Sequence, residues 1–267
     1  MPPVETLHAG DASLTIDRAA GGRLSSLTVD GHELLVAAVD DPMRWGSFPM
    51  IPWAGRVHHA RFEHGGEEIR LPMGLPPHAI HGTTYLRPWT SHGPGASTTD
   101  LGDAWPWKGR AHQTVRLGPD HLDLTITVTN DDVQTMPVSA GWHPWFRRTI
   151  GDATARIELP GARMWRRDPD GIPDGTLVDP PDGPWDDCFT DLDGPVIVRW
   201  PGILALTVES DCRHVVVYDE EDRGVCVEPQ SAPPDSHNSG HDLVEIAPGE
   251  SWTITTTWRW RRDHVAH

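Results

Sequence analysis

The sequence predicts an all-β protein, a large single-domain antiparallel β-sandwich, and three observations carry that expectation. Apolar residues alternate with polar ones in short runs, no stretch sustains helical periodicity for three turns, and 26 glycines and 26 prolines are spread through 267 residues. The clearest run is Leu122, Leu124, Ile126 and Val128, whose opposite face carries Asp123, Thr125 and Thr127. Trp252, Ile254, Trp258 and Trp260 repeat the pattern near the C-terminus. Both read as half-buried strands. Shorter strands are expected at 13–17, 23–29, 67–71, 113–117, 156–159, 196–200, 203–209, 214–218, 225–228 and 243–246. Turn signals such as Asp30-Gly31, Gly65-Gly66, Pro201-Gly202 and Pro248-Gly249 separate them. No repeat, low-complexity tail or composition break marks a linker, so one domain over 1–267 is expected. The segment 168–187, rich in Asp, Pro and Gly, reads as a long loop, and long loops in compact domains are commonly functional.

Composition narrows the function. The formal net charge is −17, and Lys108 is the one lysine, so phosphate backbones and anionic membranes are poor partners. Met1–Gly10 lacks a basic start followed by an apolar core, and no window approaches the ~20 apolar residues of a membrane span. These features predict a soluble, cytoplasmic protein without nucleic-acid or membrane partners. Three cysteines, Cys188, Cys212 and Cys226, have no CxxC spacing, which predicts buried reduced thiols rather than a disulfide framework or a thiolate zinc site. GxxxxGK, GxGxxG and GxSxG are absent, which removes the common nucleotide-binding and serine-hydrolase signatures. Among 16 histidines the tightest groups are His58-His59 and His78-x-x-His81. Adjacent histidines on a strand point to opposite faces, and HExxH is missing, so no metal and no cofactor are expected.

Four segments place single polar residues among apolar, Gly or Pro neighbours: 48–56, 76–83, 139–146 and 225–234. Burying such residues is costly unless they are paired with one another or with a ligand. Within and near these segments stand Gly55-Arg56, His81-Gly82, His143 before an aromatic residue pair, Asp186-x-x-Phe189 and Glu228-x-Gln230. In this set and order the chain resembles the aldose 1-epimerase (galactose mutarotase) family over 21–234. Two positions depart from the family's commoner pattern: its Asn-Arg and Asn-His pairs read Gly55-Arg56 and Trp142-His143 here, as in a divergent branch.

The resemblance implies a galactose mutarotase-like sandwich that interconverts the α and β anomers of a sugar without a cofactor. That chemistry needs a base for the C1 hydroxyl proton and an acid for the ring oxygen. A carboxylate and an imidazolium suit those tasks near neutral pH, and the resemblance assigns them to Glu228 and His143, with His81 assisting. Arg56, Asp186 and Gln230 are the expected hydroxyl ligands, Asp186 being favoured over Asp187 by its spacing to Phe189. Trp53, Trp142 and Trp145 are candidate platforms for the sugar's apolar face, against a plain core role for each. The expected partner is a small-molecule sugar, bound by a monomer or homodimer. Two alternatives stand beside this reading. One is a hexose 6-phosphate 1-epimerase, with Arg147, Arg148, Arg166 or Arg167 as the phosphate clamp; the other is a non-catalytic carbohydrate-binding module on the same sandwich.

Overall fold

A computed structural model describes residues 3–263 and consists of two large antiparallel sheets packed face to face. The first has eleven strands. Its path runs Val4–Ala9, Ala12–Asp17, Arg23–Val29, Ser47–Met50, Gly141–Arg147, Gly224–Gln230, His214–Tyr218, Asp186–Thr190, Arg163–Arg167, Pro173–Val178, with His32–Glu33 paired to Arg23–Val29. The second has eight, in the order Thr90–Gly93, Ala96–Asp100, Gly109–Leu117, His121–Asn130, Ser251–Arg262, Leu204–Ser210, Val196–Trp200, Arg156–Glu158. The helical content of the described residues is one short helix, Ser236–Ser239, and two 3-10 turns. None is long and apolar enough to cross a membrane.

Alternation does what the sequence analysis anticipates in the eight-stranded sheet. Leu122, Leu124, Ile126 and Val128 are buried while their neighbours are half-exposed. They share a core with Leu14, Ile16, Leu24 and Leu27 of the opposite sheet, each fully buried apolar side chain contributing about 1.5–3 kcal/mol of transfer free energy. The two layers are also joined by specific contacts: Phe146 meets Trp258 edge-on with ring centroids 5.0 Å apart, and the Trp200 indole donates to the Arg147 carbonyl at 3.0 Å.

The centre of the eleven-stranded sheet departs from alternation. Ser47–Met50 and Gly224–Gln230 are buried along their whole length, and Gly141–Arg147 in all but its last residue. One face of these strands belongs to the core; the other is covered by the loops between strands. Two-sided burial removes the polar/apolar alternation that reveals a strand, and Pro49 and Pro144 further disguise two of them. The expected loop 168–187 is likewise corrected in part: Pro173–Val178 is a strand paired with Arg163–Arg167, and Asp186 opens another. Cys188 and Cys226 are buried thiols and Cys212 is half-buried; all three are free.

Close packing of the central strands requires a small residue at 141. A Cβ added to Gly141 would sit 2.3 Å from the Pro229 carbonyl oxygen across the strand pair. At Gly194 it would meet only the Pro160 ring at 3.6 Å. Gly141→Ala should therefore destabilise the protein by about 1–3 kcal/mol in urea denaturation, whereas Gly194→Ala should be close to neutral.

Candidate functional site

A cleft of about 290 Å³ opens on the covered face of the central strands, lined by Arg56, His81, His143, Asp186, Glu228 and Gln230 among others. A larger cavity of about 470 Å³ lies elsewhere and contains none of these six residues. Chemistry, not volume, singles out the cleft, because it gathers the buried titratable side chains His81, His143 and Glu228.

Strand register builds its centre. Gly141 stands opposite Gln230 and Trp145 opposite Cys226, an antiparallel register that brings His143 opposite Glu228. Directly opposed side chains on one face lie close enough to touch, and His143 Nε2 is 3.3 Å from Glu228 Oε1. Both residues are almost fully removed from solvent. Glu228 Oε2 also accepts a hydrogen bond from the Gln230 amide at 3.1 Å. The His143 ring stacks on Phe48 with centroids 4.7 Å apart, and His81 meets it edge-on at 4.6 Å.

The polar rim is built from other elements. Arg56 reaches across to Asp186, its Nη2 donating to Oδ2 at 2.8 Å, while Nη1 donates to the Gly171 carbonyl at 3.3 Å. Asp186 also accepts from Arg167 at 2.8 Å. Gly55, with φ of +68°, lets the chain pass beside Gln230: a Cβ there would lie 3.2 Å from the Gln230 Oε1 and 3.0 Å from Pro234. This close approach explains why glycine stands where an Asn would be expected.

Electrostatics follow from burial. Loss of solvent pushes the Glu228 carboxyl well above the ordinary carboxylate range, with the Asp186 charge adding to the effect. Burial, aided by the Arg23 charge, lowers the His143 imidazole to about 3. His81 is also held neutral, first by burial and then by the charges of its neighbours. The opposed pair therefore holds one proton in total across a wide pH range.

The structure brings together Glu228, His143, His81, Arg56, Asp186 and Gln230, and it turns Asp186 rather than Asp187 to the cleft. It corrects the placement of two tryptophans. Trp142 precedes His143 on a strand, so period two sends it to the opposite face, where it is fully buried in the core. Trp53 is also a core side chain, packed on Trp105 with centroids 5.7 Å apart. Trp145, two residues after His143, does line the cleft. Cleft-lining Tyr218 is absent from the sequence-derived set; its register position opposite Asp186 is what reveals it.

Among the described residues, two triads place ligand atoms within 4.8 Å of one another, as a metal ion would require: His81, His143 and Glu228, and His58, His59 and Asp170. The argument from strand geometry against His58-His59 does not hold, because the pair lies in the 3-10 turn His58–Ala60.

A family profile described as "Aldose 1-epimerase" matches residues 6–259. The chain belongs to the aldose 1-epimerase family. It is 28% identical over 246 residues to the Escherichia coli K12 protein YphB, covering 79% of this chain and 82% of that one. A galactose mutarotase-like protein from Clostridium acetobutylicum superposes with a TM-score of 0.84 at 18% identity, covering 96% of this chain and 94% of that one. A galactose 1-epimerase from Lactobacillus acidophilus superposes with a TM-score of 0.78 at 17% identity, covering 97% and 94%. These structural likenesses establish the mutarotase-like sandwich.

The raised Glu228 value makes stability depend on pH. Protonated Glu228 stabilises the fold fully below the unfolded value of about 4.3, and that contribution is lost as pH rises through the folded value. Glu228→Gln removes the buried ionisable group, so it should gain stability over wild type as pH rises, by up to about 1.4 kcal/mol per pH unit within that window. Urea denaturation from about pH 4 to about pH 8 measures the difference; a pH-independent gap would contradict the burial argument.

Proposed function

We propose that this chain is an aldose 1-epimerase acting on a free aldohexose, with Glu228 and His143 as base and acid. The observation that carries the reading is a buried carboxyl and imidazole 3.3 Å apart at the floor of the cleft, surrounded by polar atoms without partners. Gln230 Oε1, His81 Nδ1 and His143 Nδ1 are all buried with no hydrogen bond. Each such atom costs about 1–3 kcal/mol, and their three residues all line the cleft, which suits a polyhydroxylated ligand.

Anomerisation moves two protons on oxygens that share one carbon. In the reactive form, Glu228 is the carboxylate and His143 the imidazolium. Glu228 takes the O1 proton while His143 gives its proton to the ring oxygen; the C1 to ring-oxygen bond breaks and the aldehyde forms. Rotation about the C1 to C2 bond and reclosure by the reverse transfers yield the other anomer. The pair begins and ends with one proton, so no net exchange with solvent is required. The two groups need not flank the substrate from opposite sides, since O1 and the ring oxygen are neighbours on C1. His81 supports His143 at the ring oxygen. Arg56, Asp186 and Gln230 bind hydroxyls, and Trp145 covers C–H groups.

Two observations weigh against the alternatives. The phosphate clamp is not assembled: Arg166 pairs with Asp174, Arg167 with Asp186 and Asp187, Arg148 donates to the carbonyls of Asp219 and Glu221, and Arg147 donates to that of Leu35. Both cleft arginines are also matched with carboxylates, Arg44 with Asp41 and Glu221, and Arg56 with Asp186. A neutral sugar fits this balance better than an anionic one. A binding module, in turn, has no need of a desolvated acid and base side by side, which is expensive to bury.

Polarimetry of freshly dissolved α-D-glucose and α-D-galactose tests the proposal. Wild type should accelerate mutarotation, with glucose 6-phosphate a poorer substrate. Glu228→Gln keeps the side chain's size and should lower the catalysed rate at least about a hundredfold while retaining sugar binding. Sugar binding by wild type without any acceleration would favour the binding module.

A further inference from the structure

Beside the cleft, the turn His58–Ala60 meets the segment 168–172. The chain takes φ of +49° at His59 and +52° at Ala60, a left-handed pair of residues that is uncommon without glycine. This backbone lays the two imidazoles against each other, with centroids 4.0 Å apart and planes at 25°. His58 Nε2 is shielded from solvent, makes no hydrogen bond, and lies 3.4 Å from Asp170 Oδ2. One ligand atom from each of His58, His59 and Asp170 lies within 4.8 Å of the other two. Ligands about 2.0–2.1 Å from a tetrahedral zinc ion lie about 3.4 Å from one another.

The backbone that carries these three side chains is braced by buried residues. Asp235 Oδ1 accepts the His58 backbone N–H at 2.8 Å. His78 Nδ1 accepts the His59 backbone N–H at 3.2 Å, and its Nε2 donates to the Asp170 carbonyl at 3.1 Å. With both ring nitrogens engaged, His78 is no ligand. It joins the two halves of the site from beneath, the role that outer-shell groups play around metal ligands.

We propose that His58, His59 and Asp170 form a binding site for a zinc-class divalent cation, with water at the fourth position. Two imidazoles and a carboxylate are a donor set suited to zinc. The ion would clamp the segment 168–172 to the turn, and that segment holds Arg56 through the Gly171 carbonyl. None of the three ligands takes part in the proton transfers assigned above, so the site stands or falls independently of that assignment.

Calorimetric titration of zinc chloride into tag-free, chelator-treated protein is the test. One equivalent should bind, and wild-type melting temperature should rise with zinc. Asp170→Asn and His59→Asn change exposed residues, and asparagine tolerates the left-handed backbone at 59, so the metal-free proteins should melt within a few degrees of wild type, with zinc affinity reduced at least about tenfold. Glu228→Gln, which disables the competing triad in the cleft, should leave the stoichiometric site intact. Absence of stoichiometric binding would overturn the proposal. So would unchanged binding in Asp170→Asn, or loss of binding in Glu228→Gln alone, which would put the ion in the cleft.

Discussion

The structure of the site depends on one interaction, the contact between His143 and Glu228 in a place almost devoid of water. Either group alone, charged and buried, would be costly; together they are tolerable because a single proton satisfies both. Whether that proton sits on the carboxyl or on the imidazole, the pair carries no net charge. The same economy that makes the pair affordable in the fold makes it an acid and a base at once. Phe48 stacks on His143, and the Arg23 guanidinium is 4.6 Å from the Phe48 ring centre. Burial first, and the Arg23 charge second, bias the imidazole toward its neutral form.

The sandwich serves that contact. Opposed positions on adjacent antiparallel strands hold two side chains at a set separation without help from loops, and the strands concerned are anchored in the core through Trp142, Phe146, Val225 and Val227. Strand ends and short strands supply the polar rim. Arg56 comes from a short strand paired with Ala79–Ile80, and the same pairing delivers His81 at its end.

Much of this was legible in the chain because it has elementary causes. Leu122–Val128 announces a half-buried strand by its alternation, and single polar residues in apolar segments point to the cleft. The central strands were harder to see, since Ser47–Met50 and Gly141–Arg147 are covered on both faces and contain proline. Trp142 illustrates a finer failure: once His143 is placed in the cleft, period two sends its neighbour to the core, yet that inference needs the strand, which alternation did not reveal. His58-His59 is the opposite case: adjacent histidines face opposite ways only on a strand, and here the backbone turns through the left-handed residues His59 and Ala60. The partners of Arg147, Arg148, Arg166 and Arg167 are carboxylates or backbone carbonyls on other strands and loops, and no local pattern encodes them.

The pH dependence of catalysed mutarotation tests the shared proton most directly. Because burial lowers the imidazole to about 3 and raises the carboxyl well above its usual range, the one-proton state spans the interval between them. The rate, corrected for the spontaneous reaction, should show a broad plateau whose acid limb reports a second proton entering at His143 and whose alkaline limb reports loss of the last proton from Glu228. A narrow bell centred between an ordinary carboxylate near about 4.3 and an ordinary imidazole near about 6.5 would contradict the account.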